Sequence, residues 1–82
     1  DTALHLTEAT LLSSQKMAEI EQGDFPETGE DEGEFGEELP GYRWRTEVLE
    51  TPLENVREVR VSVLWTGGGE RSVDLVSYVR KK

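Results

Sequence analysis

Val56-Arg57-Glu58-Val59-Arg60-Val61-Ser62-Val63-Leu64-Trp65 alternates between apolar and polar side chains for most of its length. Successive side chains of a strand point to opposite faces. The run therefore sets Val59, Val61, Val63 and Trp65 on one face and Glu58, Arg60, Ser62 and Leu64 on the other. The same period appears on either side of it. Tyr42 to Leu49 places Tyr42, Trp44, Thr46 and Val48 together, with Arg43, Arg45 and Glu47 opposite. Ser72 to Arg80 directs Val73, Leu75, Ser77 and Val79 inward. Pro52 and Asn55 mark the turn before the central run, and Thr66-Gly67-Gly68-Gly69 the hairpin after it. Residues 42–82 thus read as three antiparallel strands with one apolar face and one face of mixed charge.

Residues 1–22 have a different period. Residues 3 to 20 contain no Gly, Pro or Val. At 100° per residue Leu4, Leu11 and Ala18 stack within about 40°, flanked by Thr7 and Ser14. Leu6, Thr10, Ser13, Met17 and Ile20 form a second row. The opposite arc carries His5, Glu8, Gln15, Lys16 and Glu19, with Leu12 as its one apolar member. The two rows match the single apolar face of the sheet. The expected fold is α+β, an N-terminal amphipathic helix packed on a three-stranded antiparallel sheet. Gly23 is expected to end the helix as a left-handed cap, and Pro26 to prevent its restart. A helix of about 30 Å crossing a sheet about 15 Å wide would overhang it. Leu4, Leu6 and Leu11 are then expected to project past the sheet without an intrachain partner.

The 82 residues suffice for one small domain. Eighteen acids against nine bases give a formal charge of -9, yet nine of those acids lie in residues 21–39, which hold no base. The remainder is neutral. No basic face is left for a phosphate backbone, which argues against nucleic acid as a partner. Residues 23–41 read as a long acidic Gly/Pro loop between helix and sheet, with Phe25, Phe35 and Leu39 as its anchors. Glu30-Asp31-Glu32-Gly33-Glu34 is rich in carboxylates but misses the spacing of a calcium loop. A calcium-responsive module built on this loop stays open as an alternative.

Bond chemistry has little to work with. The chain has no cysteine and a single histidine, His5, which the helical wheel places on the polar arc. Ser13 and Ser14 lie in mid-helix without a nucleophile elbow, and Gly67 to Gly69 lack the Lys-Ser/Thr of a phosphate loop. No catalytic, cofactor, metal or small-molecule site is expected. On the outer sheet face Leu64, Val76 and Tyr78 are apolar positions on neighbouring strands, either a small contact patch or a surface under the loop.

The order of helix, variable loop and small antiparallel sheet is similar to that of prepilin-like globular domains. Leu11-Leu12-Ser13-Ser14-Gln15-Lys16-Met17-Ala18-Glu19-Ile20 resembles the end of a pilin helix. Pro26, Gly29, Gly33-Glu34 and Gly36 follow. Tyr42-Arg43-Trp44-Arg45-Thr46-Glu47-Val48 resembles the family's first strand, and Arg57-Glu58-Val59-Arg60-Val61 its second. Together these resemble the minor pseudopilin I family of type II secretion over nearly the whole chain, with a type IV pilus minor pilin as the neighbouring alternative. The resemblance implies an assembly component of the pseudopilus, joined through its helix to J- and K-type pseudopilins in a tip complex during protein export. Leu4, Leu6, Leu11 and Leu12 are the candidate partner-binding residues it suggests. It also implies a methylated N-terminus and an apolar segment ahead of Asp1, anchoring a periplasmic domain in the bacterial inner membrane. The chain as it stands starts beyond that segment.

Overall fold

The computed structural model describes residues 2–36, 41–66 and 69–81. Helix α1 (Thr2–Gln22) is followed by four strands, β1 (Gly29–Glu34), β2 (Arg43–Glu50), β3 (Val56–Thr66) and β4 (Glu70–Arg80). They form one antiparallel sheet in the order β1-β2-β3-β4, a plain meander. The helix lies on one face of it.

The valine-rich strand is the middle of the core. Val59, Val61 and Val63 are fully buried, each worth about 2 kcal/mol of removed apolar surface. The inward faces align in rows: Trp44, Val63 and Val73 in one, and Thr46, Val61 and Leu75 in the next. Two apolar clusters result. Ala9, Leu12, Tyr42, Val63 and Trp65 form one, with Phe35 and Val73 against it. Met17, Val59 and Val61 form the other, with Ile20, Val48, Leu75 and Val79 around it.

These clusters fix the direction of the helix and correct the expected overhang. Early helix residues meet the end of β3, and late ones meet its start, so α1 runs lengthwise and antiparallel to β3. Its closest packing is on β3 and β4, with Lys16 reaching out to Trp44 of β2. A strand of β3's length spans roughly 35 Å, comparable with a helix of roughly 30 Å laid along it.

Of the two expected rows the sheet takes the second, through Ser13, Met17 and Ile20, and adds Ala9 and Leu12 beside it. Ala9 and Ser13 are buried at 0% and 1% exposure, with Leu12 and Met17 beside them. The buried face therefore holds both small residues and Leu12, which stands in the core and not on a polar arc. Small side chains let the helix backbone approach the valine surface, and the large ones fill the space to either side. The hydroxyls that come with this face are satisfied along the helix. Ser13 Oγ donates to the Thr10 carbonyl at 2.8 Å and Thr10 Oγ to that of Leu6 at 2.7 Å.

The expected acidic loop is interrupted by a strand. Gly29–Glu34 pairs with β2 from Gly29↔Val48 to Glu34↔Arg43, which makes four strands rather than three. It has no apolar alternation to announce it. Its Glu32 instead lies 3.8 Å from Arg45, and Gly33 stands directly opposite Trp44. A Cβ added at Gly33 would come within 2.7 Å of Trp44 Cζ2, so the indole lies over bare glycine backbone. Lys16 Nζ sits 3.8 Å from the Trp44 ring centroid, a cation–π contact that keeps the ring in place.

The helix stops without a left-handed cap. Positive φ occurs at Gly29, Gly36, Gly41 and Gly69 among the described residues, and not at Gly23. Gly23 N–H bonds to the Ile20 carbonyl at 3.3 Å, tightening the last turn before Pro26. Phe25 then lies under the Arg57 guanidinium, 4.7 Å from its ring centroid. Ahead of β3, Thr51 Oγ accepts from Leu53 N–H at 3.1 Å, and Val56 N–H closes the turn onto the Leu53 carbonyl. Leu39 and the turn residues Gly67 and Gly68 lie outside the described residues.

Candidate functional site

The helix surface turned away from the sheet carries two exposed leucines. Leu4 and Leu11 are 55% and 59% exposed. By helical geometry they sit roughly 140–160° around from Ala9, the residue pressed deepest on the sheet. Their exposure comes from facing outward, not from projecting past the strands. Thr7, Ser14 and Ala18 continue the same line at i, i+3, i+7, i+10 and i+14, the spacing of a helix–helix seam. Leu6 is 46% exposed and flanks the sheet side instead. Leu12, the fourth candidate, is 7% exposed inside the first cluster and is not available to a partner.

At the helix's N-terminal half the sheet side carries an aromatic group that the wheel had assigned to solvent. His5 is half-buried, its ring 6.2 Å from Tyr42 and 6.4 Å from Trp65. Tyr42 and Trp65 are themselves 6.2 Å apart. Residues 5, 9, 12, 16 and 20 share the i, i+4, i+7 spacing of one face, and that period could have located His5 beside Ala9 and Leu12. Tyr42 Oη donates to Glu8 Oε2 at 2.9 Å, joining β2's start to the helix.

Burial pushes the Tyr42 phenol above its ordinary value of 10.0, and the hydrogen bond and negative charge of Glu8 push it the same way. The raised value belongs to the folded state. Its contribution is therefore complete below about pH 10 and is lost as pH climbs through the folded value. Tyr42→Phe is expected to cost about 1 kcal/mol at neutral pH and to remove this alkaline loss. Urea melts at pH 7 and at pH 11 on both proteins measure it.

Among the described residues no three His, Asp or Glu side chains gather as they would around a metal ion. Glu30, Glu32 and Glu34 fall on the outer face of β1 and Asp31 on the inner one, so the strand splits the carboxylates that a calcium loop would converge. The outer sheet face is a lattice of exposed pairs. Arg60 bridges Glu58 at 2.6 Å and Glu47 at 3.6 Å, Arg43 reaches Glu70 at 3.9 Å, and Ser62 Oγ donates to Asp74 at 2.6 Å. Val76 and Tyr78 are exposed within it and Leu64 is half-buried, with no element laid over them among the described residues.

A family model described as type II secretion system protein I matches residues 6–80. The match runs from the first helix turns through the last strand.

The chain belongs to this family.

No curated protein and no solved structure matches it. Membership makes the chain a pseudopilus component of a protein-secretion system, in a family that is structural rather than catalytic. Pseudopilins are anchored in the inner membrane and carry periplasmic domains. No described helix here is long and apolar enough to cross a membrane.

Proposed function

We propose that the chain is the periplasmic domain of a minor pseudopilin that assembles with J- and K-type pseudopilins at the pseudopilus tip, through the outward stripe of α1. The observation that carries this reading is the pair of leucines, Leu4 and Leu11, exposed on the helix side opposite the sheet. A folded domain does not need them there. The sheet already has its helix face, and leucines on the far side contribute nothing to that core. Small residues between and beyond them, Thr7, Ser14 and Ala18, permit close approach of a second helix. Leu6, on the sheet side of the helix, lies off this stripe. The family match favours type II secretion over a type IV pilus.

In this role the full-length protein is held in the inner membrane by an apolar segment ahead of Asp1, with a methylated N-terminus. It works by packing, without metal, cofactor, small molecule or nucleic acid. The reading is tested in cells by placing Leu4→Asp and Leu11→Asp together in the full-length protein. Secretion of the system's cargo is expected to fall severalfold while the variant accumulates at the normal level. Normal secretion by a stably accumulated variant contradicts it.

A further inference from the structure

The two margins of the sheet are built differently. β1 is six residues long and its Gly-Glu-Asp-Glu-Gly-Glu sequence lines that margin with acids of one sign. Repulsion blunts it against any acidic or identical strand. β4 is eleven residues long and contains neither proline nor glycine. Its register with β3 runs from Val56↔Arg80 to Thr66↔Glu70 without a bulge. Such an edge presents a straight row of outward N–H and C=O groups, ready for another strand. Its inner side chains Val73, Leu75 and Val79 are only half-buried, and Val76 on the outer side is 51% exposed.

What would pair there is written in β4 itself, Glu70-Arg71-Ser72-Val73-Asp74-Leu75-Val76-Ser77-Tyr78-Val79-Arg80. Turned antiparallel about Leu75, the strand is complementary to its own copy. Glu70 opposes Arg80 at both ends, Ser72 opposes Tyr78, Val73 opposes Ser77, and Leu75 meets Leu75. Centring on Asp74 instead sets two aspartates face to face. Centring on Val76 sets Arg71 against Lys81. Only the Leu75 register, of these three, is free of like-charge pairs. Glu70 and Arg80 are exposed, and the contact of Glu70 with Arg43 is a loose one at 3.9 Å, easily exchanged.

We infer that β4 pairs with β4 of a second copy of this chain, antiparallel about Leu75, joining the two four-stranded sheets into one. This surface is separate from the outward helix stripe, so it stands independently of the tip-complex reading. Sedimentation equilibrium on the 82-residue chain tests it. A monomer–dimer equilibrium is expected. Glu70→Arg or Arg80→Glu alone should raise the dimer Kd about tenfold, because each places like charges at both ends of the paired strands. The two together should return it to within about threefold of the unchanged chain, since the pairs are then reversed and not broken. Far-UV circular dichroism confirms that each variant is folded. A chain that stays monomeric at millimolar concentration overturns the inference, as does a double variant weaker than either single one. A dimer indifferent to these charges but abolished by Leu11→Asp also overturns it and moves the contact to the helix.

Discussion

Leu12→Ala is expected to destabilise the fold by about 2–4 kcal/mol, while Leu11→Ala, one residue away, changes stability by less than about 0.5 kcal/mol. Leu12 is enclosed by Ala9, Tyr42, Val63 and Trp65, so truncation leaves a cavity bounded by rigid β-branched and aromatic side chains that cannot collapse into it. Leu11 stands in solvent. In the helix the exchange of an exposed leucine for alanine is nearly neutral by propensity. Urea melts of the two variants under one set of conditions settle which face the sheet takes. Equal losses, or a larger loss for Leu11→Ala, would mean that the helix is rotated from the orientation described.

That contrast also shows where residue pattern stops being sufficient. Three of the four strands were legible because, as in Val59, Val61 and Val63, apolar residues alternate with charged or polar ones, and a period of two admits a single assignment of faces. The helix was legible as a helix. Its orientation was not, because its leucines are shared between two faces: Leu4 and Leu11 on one, Leu12 on the other. Of the two apolar rows read from the sequence, the sheet takes the one with Ser13, Met17 and Ile20, extended by Ala9 and Leu12, and leaves Leu4 and Leu11 outward. The same choice of face carried His5 and Lys16 from solvent to the Tyr42–Trp65 and Trp44 rings. The exposure of Leu4, Leu6 and Leu11 was anticipated, but for the wrong cause.

The missed strand has a different origin. Gly-Glu-Asp-Glu-Gly-Glu has low strand propensity and no apolar face. What holds it is supplied by its neighbour, the guanidinium of Arg45 and the indole of Trp44, and neither is a local property of residues 29–34. Gly33→Val is the second substitution with a large expected effect. A side chain at position 33 meets the Trp44 ring at 2.7 Å, closer than a real Cβ approaches another atom. The ring cannot withdraw freely, with Lys16 held over it. Overpacking of this kind costs about 1–3 kcal/mol, and the least anchored partner gives way first. β1 should part from β2, so that backbone amides of residues 29–34 exchange roughly tenfold to a hundredfold faster. Those of β3 should keep their protection. Unchanged exchange in β1 would show that Gly33 is not required by the Trp44 contact.

Both substitutions concern how the chain builds a stable body on one side of its helix, and the proposal gives the other side to assembly. The most direct test of that assignment is a calorimetric titration of the unchanged chain and of Leu11→Asp with the soluble domain of a J-type pseudopilin from the same secretion system. A charge placed in the middle of a buried seam should weaken binding by about thirtyfold or more, with the melting temperature of the variant unchanged. Equal affinity of the two proteins, both folded, would contradict the outward helix stripe as the assembly surface.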